Sequence, residues 1–195
     1  LNAYDDRRLG QVNLRADFKP TMFDEVMVAM GVSYLDAGEG FSPTDDGNPF
    51  HTIRTRDAYW MAEWRRQLND TDEIKVSANY MEDRKWDYAT SPAVNKDDEP
   101  PYAPGELAPW DYNSVGRRAS LELQGTFSLT AGLRALLGLG HQGEQARSRG
   151  LYDSQKWVSV RESRAFGALE WRASPQWLVN AGLFAGQHSE AGTYH

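Results

Sequence analysis

Apolar and polar residues alternate with a period of two in eight separate runs along this chain, the pattern of strands with one apolar face. In the first run Val12, Leu14, Ala16 and Phe18 alternate with Gln11, Asn13, Arg15 and Asp17. The second sets Val26, Val28, Met30, Val32 and Tyr34 against Met27, Ala29, Gly31 and Ser33. The third sets Ala58, Trp60, Ala62 and Trp64 against Tyr59, Met61, Glu63 and Arg65, and the fourth Ile74, Val76, Ala78 and Tyr80 against Lys75, Ser77 and Asn79. In the second half the apolar set moves to odd numbers. Its runs are Ala119 to Phe127, Ala131 to Leu139, Ala165 to Trp171 and Trp177 to Ala185. The spacing predicts strands near residues 9–18, 25–35, 57–68, 73–82, 117–128, 130–142, 163–173 and 176–187, all within one domain over 1–195.

The connections sort by length. Residues 20–24, 69–72, the neighbourhood of Leu129 and Ser174-Pro175-Gln176 are short and rich in turn formers. Between the hairpins, residues 36–56, 83–115 and 143–163 are long. Short turns at one end and long loops at the other are the mark of an up-and-down transmembrane β-barrel, with short periplasmic turns and long extracellular loops. Period alone also fits a soluble β-sandwich, which has no reason to sort its loops by end. The acidic stretches in the loops, such as Asp97-Asp98-Glu99, have no ordered calcium-ligand spacing and read as solvated.

Aromatic residues sharpen the picture. Phe18, Trp64, Phe127 and Trp171 close the apolar face of their strands at the short-turn end, and Trp177 opens the last strand there. Amphipathic rings at one level form a membrane-interface girdle, and Tyr34 and Tyr80 are expected at the opposite interface. The other face carries charges of both signs, among them Arg15, Asp17, Glu63, Arg65, Lys75, Glu122, Arg134, Glu170 and Arg172. These can pair across strands along a wet or plugged lumen.

Composition agrees. Net charge is −7 over 195 residues, which gives no basic footprint for nucleic acid. Mean hydropathy is −0.68, and no stretch approaches the roughly 18 apolar residues of a membrane helix, whereas barrel strands average out to polar. Cysteine is absent, so disulfides and thiolate metal sites are too. His51, His141, His188 and His195 are scattered, without metal-ligand spacing. No phosphate loop or nucleophile elbow appears. The expectation is a non-enzyme with no catalytic residue, cofactor or metal.

No signal peptide precedes Leu1, which reads as a domain boundary. With periplasmic short turns, strand one descends and strand eight ascends, so both ends lie outside the cell. Part of a larger barrel is expected.

The stretch from Ala58 through Glu73, AYWMAEWRRQLNDTDE, and that from Gly167 through Leu183, GALEWRASPQWLVNAGL, resemble hairpins from the barrel of TonB-dependent outer-membrane receptors. The likeness spans nearly the whole chain as a style of hairpin. It implies a bacterial outer-membrane protein whose full barrel has 22 strands around an internal plug. Such a protein would bind a scarce nutrient, often an iron–siderophore complex, and import it with energy from TonB. The implied partners are outer-membrane lipid, the plug and remaining strands of the same protein, TonB through the plug region, and a small-molecule ligand. Trp86, Tyr88, Tyr102, Trp110 and Tyr112 in the long loops suit ligand stacking or hydrogen bonding, and equally suit packing of the loops or extension of the girdle. A passive porin or channel is the alternative within this architecture, and a soluble β-sandwich binding module the alternative outside it.

Overall fold

The computed structural model describes residues 6–40, 50–92, 107–152, 154–190 and 192–194. Their strands are β1 (Arg7–Phe18), β2 (Asp24–Glu39), β3 (His51–Gln67), β4 (Glu73–Trp86), β5 (Tyr88–Pro92), β6 (Leu107–Asp111), β7 (Ser114–Thr130), β8 (Leu133–Ser148), β9 (Ser154–Ser174), β10 (Trp177–His188) and β11 (Gly192–Tyr194). One turn of helix, α1 (Arg149–Tyr152), lies between β8 and β9. Nine strands form a single sheet in the order β1-β2-β3-β4-β7-β8-β9-β10-β11, and β5 and β6 form a separate hairpin. Every pairing is antiparallel. The sheet is open, with β1 at one edge and β11 at the other. It is an arc of up-and-down barrel wall.

Four short turns join the strands at one end, and each is closed in the same way. A side-chain oxygen accepts the backbone N–H two residues on: Thr21 from Phe23 at 3.2 Å, Asn69 from Thr71 at 2.9 Å, Thr130 from Gly132 at 3.3 Å and Ser174 from Gln176 at 3.3 Å. Such local bonds satisfy backbone donors that the ladder cannot reach.

Register places the apolar set on one face throughout. Leu14 stands opposite Met30, Met30 opposite Trp60, and Trp60 opposite Tyr80. Tyr80 then pairs with Ala119 and Val76 with Leu123, so the even face of β4 continues as the odd face of β7. Leu123, Leu139, Ala165 and Ala185 complete one row. A slip of one residue anywhere would have broken this continuity. The apolar face is also the more open one: Leu14 is 62% and Leu183 73% exposed, against 39% for Tyr59 and Met61 on the polar face. Side chains spread apart on a convex surface and crowd on a concave one, so the apolar face is the outside of the arc.

The described residues form no conventional core. Among the described residues the buried hydrophobics are Ile53 and Ala135. The chain exposes 13907 Å², whereas a folded soluble monomer of 22.0 kDa exposes about 9,300 Å². One layer cannot cover its own apolar face, and the described residues form no second sheet packed on it, as a sandwich needs.

The strands run further than the alternation suggests, chiefly at the long-loop end. β2 continues to Glu39, β4 to Trp86 and β8 to Ser148, while β3 begins at His51, β7 at Ser114 and β9 at Ser154. Tyr34 and Tyr80 therefore lie within their strands rather than closing them. Beyond the apolar band both faces mix charged and apolar residues, so the period of two fades although the backbone ladder continues. The connections shrink accordingly to residues 40–50, 87–113 and 149–153.

Candidate functional site

The concave face is a polar wall held by ion pairs. Arg164 reaches Glu122 at 2.7 Å across β8, and Arg118 meets Glu144 at 2.8 Å. Arg65 bonds Glu63 at 3.2 Å on its own strand and approaches Glu73 at 3.5 Å on the next, while Lys75 approaches Glu63 at 3.9 Å. Arg15 pairs along its own strand with Asp17 at 2.8 Å. Arg134 stands opposite Glu170 in register, but neither they nor Arg172 form an ion pair among the described residues. Two aromatic rings cover glycines directly across the ladder, Tyr59 at Gly31 and Phe166 at Gly138. The Tyr59 hydroxyl donates to Asn13 Oδ1 at 3.0 Å, tying β3 to β1 over β2.

At the long-loop end, the β5–β6 hairpin rises from one anchor. Asp87 leaves the main sheet just after β4, and its side chain is 7% exposed. One carboxylate oxygen meets His51 Nε2 at 3.0 Å and the other Lys85 Nζ at 2.6 Å. Its backbone N–H donates to Asn113 Oδ1 at 2.8 Å, and its carbonyl accepts the Tyr112 N–H at 2.9 Å. A buried carboxylate is tolerable only when paired and bonded in this way. The anchor fixes both feet of the hairpin to the rim of the wall. The helix α1 seats against the same foot, with Gly150 so close to the Asp111 carbonyl and the Tyr112 ring that a Cβ would not fit.

The aromatic candidates divide. Tyr88 opens β5, Trp110 stands opposite Ala89 in β6 and Tyr112 follows at the foot, so the hairpin gathers three of them. Tyr88 is exposed and Tyr112 half-buried. Trp86 shares the row of Arg54, on the convex face, away from the lumen. Tyr102 lies outside the described residues. His51, Lys85 and Asp87, which position the hairpin, were not singled out together from the sequence: His51 and Asp87 are 36 residues apart, and no periodicity links them.

On the convex face Phe18, Trp64, Phe127, Trp171 and Trp177 stand near the short-turn ends of β1, β3, β7, β9 and β10. Phe18, Trp171 and Trp177 are exposed. Trp64 donates its indole N–H to Asp24 Oδ1 at 3.0 Å, beside Arg66 at 3.6 Å from the same oxygen. Above this level no Asp, Glu, Lys or Arg occupies the convex face over residues 12–18, 26–34, 58–64, 74–80, 119–127, 133–145, 163–171 and 177–187.

No protein-family model matches the chain, and no curated protein matches its sequence. Among solved structures it is similar to a point mutant of the ferric enterobactin receptor of Pseudomonas aeruginosa, with a TM-score of 0.74 and 12% identity. The likeness covers 96% of this chain and 30% of the receptor's. At that identity it establishes architecture: an antiparallel up-and-down wall that matches part of a receptor β-barrel.

Proposed function

We propose that this chain is part of the barrel of a bacterial outer-membrane TonB-dependent receptor, which binds a scarce nutrient outside the cell and imports it. An iron–siderophore complex is the proposed cargo class. The observation that carries the reading is the charge-free convex band together with the superposition on a ferric siderophore receptor over 96% of the chain. The band has the right height. Phe127 and Arg117 bound it on β7, and ten residues of antiparallel strand span about 34 Å, or about 26 Å of height at a tilt of about 40°. A lipid-facing band is about 25 Å tall. The aromatic residues at its lower edge then form the girdle at the periplasmic interface, with Tyr34, Trp60 and Tyr80 near the upper one.

In this reading the polar concave wall faces the plug, and the remaining strands of the same protein complete the barrel. The hairpin carrying Tyr88, Trp110 and Tyr112 stands at the outer mouth, where an arriving complex would meet it. TonB engages the plug rather than this wall.

The test is uptake by the full-length protein. Cells that depend on it for iron should take up radio-iron from one siderophore class, and should lose uptake when TonB is deleted. Alanine at Tyr88, Trp110 and Tyr112 together should weaken siderophore binding while the barrel still assembles. Diffusion of small sugars through the purified protein without TonB would replace the receptor by a passive porin.

A further inference from the structure

Although the chain as a whole is acidic at net charge −7, one patch of its convex face is strongly basic. Arg56, Arg84, Arg117, Arg147 and Arg161 lie there on five successive strands of the sheet, β3, β4, β7, β8 and β9, within three adjacent cross-strand rows. Arg56 stands directly opposite Arg84, and Val115 links Arg84 to Arg147 in the same row. The next row holds Arg117, and the row below it Arg161.

Between β3 and β9 the one carboxylate on this face, among the described residues, is Glu82. It accepts Arg84 Nε at 2.6 Å, Arg117 Nε at 2.8 Å and the Tyr80 hydroxyl at 3.1 Å. Arg56, Arg147 and Arg161 form no ion pair among the described residues. Arg117 and Arg147 both pack on the indole of Trp157, their guanidinium carbons 4.8 and 4.7 Å from the ring centroid. Cation–π contact holds them in place without neutralising them. Like charges placed opposite one another destabilise a sheet, and among the described residues between β3 and β9 Glu82 alone faces these five guanidiniums, so the patch keeps a positive excess that suits an anionic ligand.

Position decides which anion. The patch begins where the charge-free band ends, so a ligand here meets guanidinium above and Leu121, Leu139 and their neighbours below. Among anions, a phosphorylated lipid satisfies both surfaces at once: its phosphate takes charge-assisted bonds from arginine, and its acyl chains cover the apolar face. We propose that Arg56, Arg84, Arg117, Arg147 and Arg161, braced by Trp157, bind the phosphate headgroup of a lipid in the leaflet at the long-loop end. The assignment rests on the membrane-barrel reading and is independent of the cargo.

The experiment uses the full-length protein in a neutral maltoside detergent, with bound lipid counted by native mass spectrometry. Three probes are titrated: bis-phosphorylated lipid A, the same lipid with its phosphates removed, and inorganic phosphate. The variant Arg147→Gln/Arg161→Gln disturbs no ion pair among the described residues, and Arg147→Lys/Arg161→Lys keeps the charge. The glutamine variant should bind phosphorylated lipid about thirtyfold more weakly, the lysine variant should retain most of the affinity, and both should keep the heat-modifiable migration of a folded barrel. Equal binding of phosphorylated and dephosphorylated lipid, or a glutamine variant that binds as the parent does, would overturn the proposal. Displacement of the lipid by equimolar inorganic phosphate would make the patch a free-anion site and overturn the lipid assignment. A protein that stays monodisperse in buffer without detergent would instead overturn the membrane reading itself, so the two failures are distinguishable.

Discussion

The contact between Tyr59 and Gly31 predicts a measurable coupling. A Cβ built on Gly31 would fall inside the Tyr59 ring and the Asn13 amide, so the ring occupies the space that a side chain at position 31 would fill. Tyr59 is 39% exposed. About three-fifths of a side chain that buries about 150–250 Å² when enclosed is therefore covered. At about 25 cal/mol per Å² the covered part contributes about 2–4 kcal/mol, and compaction of the unfolded state lowers this to about 2–3 kcal/mol. The hydroxyl bond to Asn13 adds about 0.5–1.5 kcal/mol. Tyr59→Phe should thus cost about 1 kcal/mol and Tyr59→Ala, which loses the ring as well, about 3–4 kcal/mol. Gly31→Ala must swing the ring aside and break the Asn13 bond, at about 1–2 kcal/mol, although alanine itself suits a strand better than glycine. With the ring already gone that penalty disappears. Gly31→Ala/Tyr59→Ala should fall short of the summed single effects by about 1 kcal/mol or more. The assay is reversible urea unfolding of the full-length protein in lipid vesicles, followed by tryptophan fluorescence with the slope held constant. Additivity within about 0.5 kcal/mol would refute the idea that the ring and the glycine form one unit.

Two further predictions concern the apolar convex face and the turns. Leu123→Arg, at the centre of the charge-free band, should cost about 2–4 kcal/mol in vesicles, whereas Gln124→Arg on the adjacent concave position should cost little; equal effects would contradict the assignment of faces. Asp72 accepts the Ser128 N–H at 2.7 Å and the Asn69 amide at 2.8 Å, and the Ser128 bond first, then Asn69, hold its carboxyl below the ordinary value of 3.8. Since the charged form is favoured in the fold, its contribution is present above pH 3.8 and is lost as pH falls through the lowered folded value. Asp72→Ala should lower the urea midpoint at neutral pH and flatten its fall on acidification, and an unchanged acid limb would show that the turn contact is not felt.

The eight principal strands and the face of every residue in the band were legible because strands with one apolar face must alternate. Even numbers as far as Tyr80 and odd numbers from Ala119 are joined by the Tyr80–Ala119 pairing. What the pattern could not reveal lies above the band. There Arg54, Arg56, Arg84 and Arg147 occupy the face that lower down holds Leu and Val, so hydropathy no longer marks the strand, and the ladder extends unseen into stretches that read as loop. The β5–β6 hairpin was hidden for another reason: Pro92 and Pro109 lie in its two strands, and proline argues against a strand in any sequence reading. Pairing of charges was foreseeable in kind but not in partner. Arg15 and Asp17 join within one strand and Arg164 crosses β8 to Glu122, choices set by side-chain reach over a curved surface. The candidate site was the least legible, because its anchor joins His51 to Asp87 through a fold that no local signal describes.

The two edges of the sheet bear on what residues 1–195 do when expressed alone. β1 is exposed along its whole length, and one of its sides has no partner in the sheet. Twelve residues of edge strand leave about half of their N–H and C=O groups without a ladder bond. In hydrocarbon each such group costs several kcal/mol, and the apolar stretch Val12 to Phe18 would have to sit there. In water the groups are solvated, but the convex face then presents a wide apolar surface beside two unpaired edges, the arrangement that drives edge-to-edge aggregation. Neither solvent suits the open arc. The isolated polypeptide should therefore be insoluble without detergent, should aggregate by edge pairing when denaturant is removed, and should conduct nothing in planar bilayers. Size-exclusion chromatography in detergent-free buffer with circular dichroism decides the matter. A monodisperse, β-rich monomer would mean that the edges and the apolar face are satisfied within the chain, and the reading of this sheet as an open arc of membrane barrel would fall.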